Sequence, residues 1–136
     1  MLETVRAYAH EKLEQSGESV LLRRRHLEFF MRLAERAYLK TLGAEQALWY
    51  GRLESELDNL RAALDWSLES SQVLDGLRLA SALRLFWFVR GYQREGRARL
   101  AHLLALPDAA APSATRARAL IGAGFLARSE GDQLLA

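Results

Sequence analysis

The sequence contains no cysteine, which excludes disulfides and thiolate metal sites at once. Proline occurs only at Pro107 and Pro112, so over most of the chain no proline ring interrupts a helix. Valine, isoleucine and threonine are scarce and no long stretch alternates with period two, which leaves little from which to build a sheet. Apolar runs are short. The longest strongly apolar one, residues 85–89, falls far below the roughly 20 residues needed to cross a bilayer. The opening residues lack the basic-then-apolar order of a signal peptide. Neither sign of charge dominates: 19 Lys and Arg oppose 17 Asp and Glu, a net charge of +2. That balance does not by itself point to a nucleic acid or a membrane. A soluble cytoplasmic protein without a membrane partner is expected.

What the sequence does hold is alanine, leucine, arginine and glutamate, the better helix formers. Half of its 136 residues are apolar, enough for one packed core. Leu2, Val5, Ala9 and Leu13 recur at three- and four-residue steps and predict a first helix over 2–15, closed by Gly17 in a left-handed end. A second helix is expected over 18–42, with Leu27, Phe30, Ala34 and Ala37 facing inward and Gly43 ending it in the same way. Trp49, Leu53, Leu57, Leu60, Leu64 and Leu68 form one seam over 44–70. Ser55 followed by Asp58 looks like a capping box, so a bend is expected near residue 56. Helices over 74–90 and 93–106 follow, divided by Gly91, and the loop 107–114 leads to a last helix over 115–129. Gly131 is expected to end that helix and Asp132 to cap the next one.

The chain partly repeats itself at an offset of forty residues, the kind of period that marks helical arrays. Gly91 falls on Gly131, Leu83 on Ala123, Trp87 on Ala127 and Gly96 on Ala136. Leu120, Ala123, Gly124, Ala127, Gly131, Asp132 and Ala136 resemble the first half of a tetratricopeptide repeat, in which small residues let paired helices approach closely. Residues 77–106 resemble a looser preceding repeat, with Arg84 where that repeat prefers glycine. The fold class expected is therefore all-α: antiparallel hairpins in a tetratricopeptide-like, right-handed superhelical array.

A second resemblance lies upstream. Leu2-Glu3-Thr4-Val5-Arg6-Ala7-Tyr8-Ala9, then Arg23-Arg24-Arg25-His26, then the block from Leu53 to Leu64, whose most specific part is Leu-Asp-Asn-Leu-Arg-Ala-Ala-Leu from Leu57 on, occur in this order. Together they resemble the region after the nucleotide-binding and winged-helix modules of bacterial STAND-class signal-transduction ATPases, many of which regulate transcription. The resemblance implies a helical linker over 1–73 and tetratricopeptide-like repeats over 74–136, the last one truncated. It implies an ATPase before Met1 and further repeats after Ala136. Flanking modules of the same chain or a second copy are then the expected partners.

Motifs for chemistry are missing. No Gly-Lys-Ser or Gly-Lys-Thr follows a glycine-rich loop, and Gly122-Ala123-Gly124 reads as helix packing rather than a phosphate cradle. His10-Glu11 begins like a zinc-protease helix, but Glu14 stands where the second histidine is needed. His26 and His102 have no histidine nearby. Glu54, Glu56 and Asp58 lie beside Arg52 and Arg61, the arrangement of solvated helix pairs. No cofactor, metal or catalytic residue is expected, so the chain reads as a non-catalytic interaction and coupling segment.

Two surface features remain. The aromatic end formed by Phe86, Phe88, Arg90, Tyr92 and Arg94 is the candidate interaction surface, with Trp87 turned into the core. Arg23, Arg24 and Arg25 are the strongest basic cluster, with Arg94, Arg97 and Arg99 a second. They carry the alternative of a small helical nucleic-acid-binding domain. Neighbours on a helix point about 100° apart, so three in a row cannot all face one phosphate backbone. Nucleic acid is therefore disfavoured as a partner.

Overall fold

A computed structural model of the chain describes residues 2–135, with side chains for 4–12 and 15–131. Every long element is a helix, and there is no strand among the described residues. The first element, α1, runs unbroken from Leu2 to Lys40. At 1.5 Å per residue it is about 58 Å long. The expected stop at Gly17 is not made. Glycine inside a helix costs about 1 kcal/mol relative to alanine, and good helix formers on both sides carry the chain through it. Gly17 keeps a negative φ. Gly91 (φ 82°) is the glycine with a positive φ among the described residues. Gly43 does not take the left-handed form either; α1 ends in a turn closed by its N–H donating to the Lys40 carbonyl at 3.2 Å.

The seam after α1 is divided where a bend is expected, into α2 (Gln46–Ser55) and α3 (Leu57–Glu69). The cause is not a capping box. Ser55 Oγ donates back to the Arg52 carbonyl at 2.7 Å, while the Glu56 N–H is shared between the Arg52 and Leu53 carbonyls at 3.2 and 3.1 Å. A second break of the same kind was not legible in the apolar pattern. Leu83 separates α4 (Val73–Ala82) from α5 (Arg84–Arg90), its N–H split between the Leu79 and Ala80 carbonyls. Phe86 and Trp87 are adjacent and both buried on α5, so the one-residue break re-aims two large rings into the core. Gly91 then closes α5, as expected. Its left-handed conformation lets the Tyr92 N–H reach the Trp87 carbonyl at 2.7 Å.

Next comes α6 (Gln93–Leu104), a single turn of 3-10 helix at Pro107–Ala109, and α7 (Ala114–Leu135). The end of α7 departs from the repeat pattern. The helix passes through Gly131 and Asp132, so Gly131 does not terminate it and Asp132 lies within a helix rather than capping a new one. Ala136 lies outside the described residues. The forty-residue offset thus holds in composition while its two glycines take different conformations. Ala127 is exposed where Trp87 is buried.

Two layers result. Helices α1, α4 and α7 pack side by side, and α3 and α6 back them from the other side. The central helix α4 touches α1, α3, α6 and α7. That explains why Val73, Leu77, Leu79 and Ala80 are buried around more than one face. Leu27, Phe30, Ala34 and Ala37 of α1 are buried as expected, together with Trp49, Leu53, Leu60 and Leu64 of the seam. Close approach falls at Gly76 and Gly96. A Cβ on Gly76 would meet Ser67 Cβ at 2.9 Å, and one on Gly96 would enter the Trp87 ring and meet Leu126 Cδ1 at 2.9 Å. Gly124 faces open space, with nothing within 4 Å of where its Cβ would stand. Of the small residues at repeat positions, Gly96 on α6 makes a tight contact and Gly124 on α7 does not, while Gly76 on α4 adds one that the repeat pattern did not mark.

Candidate interaction surface and basic cluster

The aromatic end does not form one patch. Phe86 is 1% exposed, which removes it from the candidate surface; the break at Leu83 turns it inward beside Trp87. Tyr92 is half-buried. Its ring lies 5.9 Å from that of Phe86, and its hydroxyl donates to Glu54 Oε1 at 2.8 Å. That bond holds the phenol above its ordinary pKa, because the ionised form could no longer donate. Tyr92 therefore fastens the start of α6 to α2. Gln93, which the sequence reading passed over, is buried and donates from Nε2 to the Phe88 carbonyl at 3.2 Å, covering the end of α5.

Phe88, Arg90 and Arg94 are exposed. Phe88 packs edge-on against Phe125 of α7 with ring centroids 5.1 Å apart. Ile121 lies one turn before Phe125, so the three form a continuous apolar strip at 42%, 36% and 62% exposure. Phe125 and Ile121 were not singled out from the sequence, since their i, i+4 spacing looks the same whether it faces a core or solvent. Arg94 and Arg97 flank Glu130 on α7, at 3.4 Å from Arg94 Nε to Oε1 and 2.8 Å from Arg97 Nε to Oε2. Arg99 belongs instead to a cluster joining α3 and α6. It reaches Asp65 at 2.8 Å and Glu95 at 3.1 Å. The second expected basic patch is thus largely matched by carboxylates.

Arg23, Arg24 and Arg25 stand exposed on α1, with no ion pair or hydrogen bond among the described residues. They lie on a stretch of α1, residues 4–25, whose described side chains are all exposed, Val20, Leu21 and Leu22 included. His26 sits where this stretch meets the core and packs its ring 4.7 Å from that of Phe30. No group of His, Asp and Glu that could hold a metal occurs among the described residues, and no described helix is long and apolar enough to cross a membrane.

No family model matches the sequence, and no solved structure matches it. Curated relatives do. Proteins from two strains of Mycobacterium tuberculosis and from Mycobacterium bovis, each named "putative HTH-type transcriptional regulator", are 44% identical to it over 96 residues, 71% of the chain. The matched region makes up 11% of the length of each relative, so this chain is similar to one short portion of a much longer regulator.

Proposed function

We propose that the chain is a helical interaction and coupling segment of a transcriptional regulator, without catalytic activity of its own and of tetratricopeptide-like build. The observation that carries this reading is the strip formed by Phe88, Ile121 and Phe125. These apolar side chains stand on the outer side of α5 and α7, where a further helix or a partner would find them already aligned. Support for a regulator comes from the shared name of the relatives. Coupling is a mechanical reading of α1. One end is locked into the core by Leu27, Phe30, Ala34 and Ala37, and the other extends as continuous helix. Displacement of the exposed end is then transmitted to α4, against which the locked end packs. The test is sedimentation at rising protein concentration. Association is expected for the wild type and should be lost in Ile121→Asp. A strictly monomeric wild type at every concentration would remove the strip as an interaction surface.

A second reading is contact with nucleic acid through Arg23, Arg24 and Arg25. The relatives' name favours it, because a helix-turn-helix is a DNA-contacting element, and the three guanidinium groups are exposed and unmatched among the described residues. It predicts duplex binding that weakens steeply with salt and vanishes when all three become alanine. Flat anisotropy titrations at low salt would remove it. The interaction reading is preferred on geometry, since the three side chains diverge around α1.

A further inference from the structure

We propose that the cleft between α1, α4, α5 and α7 binds a small organic anion, a phosphate or carboxylate carried on a compact molecule. The cleft holds about 380 Å³, within the range of small-molecule sites. Three guanidinium groups line it, Arg78, Arg84 and Arg118, against one carboxylate, Glu35. Arg78 is matched, with Nη2 2.7 Å from Glu35 Oε1. The other two are not. Arg84 donates to the neutral hydroxyl of Tyr38 at 2.7 Å and lies over that ring at 5.3 Å, which fixes its plane without cancelling its charge. Arg118 has no ion pair or hydrogen bond among the described residues.

A further sign is Ser81, also in the lining. Its Oγ is sealed from solvent and makes no hydrogen bond. The buried helical serines Ser67 and Ser129 bond back to the preceding turn instead, to the Leu64 carbonyl at 2.7 Å and the Leu126 carbonyl at 2.8 Å. An unmatched buried hydroxyl is costly to keep unless something bonds to it. Thr115, in the first turn of α7, brings the positive end of that 22-residue helix to the same rim. The two unmatched guanidinium groups, Arg84 of α5 and Arg118 of α7, an orphan hydroxyl on α4 and the N-terminus of α7 thus converge on one concave site, and each favours negative charge.

The test is calorimetry at low ionic strength with pyrophosphate and with citrate as separate probes, chloride held constant. One-to-one saturable binding of at least one probe is expected, and the stronger probe distinguishes a phosphate ligand from a carboxylate one. Arg118→Gln should weaken it by about tenfold, with Arg84→Gln doing the same. The triple variant Arg23→Gln, Arg24→Gln, Arg25→Gln should bind like the wild type. Arg118 is exposed, so its variant reports on binding even if Arg84→Gln fails to fold. Ser81→Ala should weaken binding while raising the melting temperature of the free protein, since it removes an unbonded hydroxyl. Absence of saturable binding by either probe would overturn the site. Equal binding by wild type, Arg84→Gln and Arg118→Gln would overturn it as well.

Discussion

Arg61 clasps Glu95 across the α3–α6 interface with two parallel hydrogen bonds, Nε to Oε2 at 3.0 Å and Nη2 to Oε1 at 2.7 Å. Arg99 adds a third donor to Oε2 at 3.1 Å. The bond from Arg61 holds the Glu95 carboxyl below the usual glutamate range against the opposing effect of burial, and Arg99 lowers it further. A carboxylate whose folded pKa is depressed stabilises the fold fully above its unfolded value, and that contribution disappears as pH falls through the folded value. The unfolded value is about 4.3. Glu95→Gln should therefore be less stable than the wild type at neutral pH. As pH falls below about 4.3 and through the lower folded-state value, the two melting curves should converge. Parallel pH profiles would show that the pair does not contribute to stability.

Gly96 and Gly124 make a matched pair for overpacking. Gly96→Ala drives a methyl group into Trp87 and Leu126, both buried, and should cost about 1–3 kcal/mol in urea denaturation. Gly124→Ala meets open space. It should be neutral or slightly stabilising, because alanine is the better helix former. The reverse order would place the tight contact at Gly124 after all.

Gly91 carries a backbone constraint instead of a packing one. Its φ of 82° lies in the left-handed region, and no atom crowds its would-be Cβ. Gly91→Ala should cost about 1–2 kcal/mol from backbone strain alone, and Gly91→Asn less, since asparagine tolerates that region. Equal losses for both variants would point to packing as the cause.

The two halves of α1 should respond differently to the same chemical change. Leu27 is 1% exposed and Leu21 47% exposed on one continuous helix. Leu27→Ala should cost about 2–5 kcal/mol. Leu21→Ala should change stability by no more than about 0.5 kcal/mol. A large loss from Leu21→Ala would mean that the exposed stretch is packed in solution, by a second copy or by the chain itself.

Local chemistry was readable in advance. The scarcity of proline and β-branched residues gave helices throughout. Leu27, Phe30, Ala34 and Ala37 share a face because a 3.6-residue period puts them there whatever they pack against. Gly91 was legible as a stop, and the tertiary packing of Phe86 and Trp87 agrees with it. At Gly17 and Gly131 the same signal failed. A glycine permits a left-handed end but does not require one, and where nothing nearby folds back on the helix, the hydrogen-bond ladder runs on.

Of the small residues that the repeat resemblance marked, Gly96 makes a close approach and Gly124 does not, and Gly76 adds one it did not mark; the opposing side chains, Ser67, Trp87 and Leu126, come from other helices. Phe86 and Phe88 look alike in sequence, and only the break at Leu83 decided which is core and which is surface. Arg78 and Arg118 were unremarkable in sequence and Arg84 stood out only as a departure from the repeat, because the three sit on α4, α5 and α7 and meet only over the groove that these helices form with α1. Sequence by itself determined which segments are helical and which face each could bury, because those depend on neighbours within a turn or two. Tertiary structure alone decided which surfaces were left uncovered and which charges were left unmatched, because both depend on side chains many residues apart in the chain.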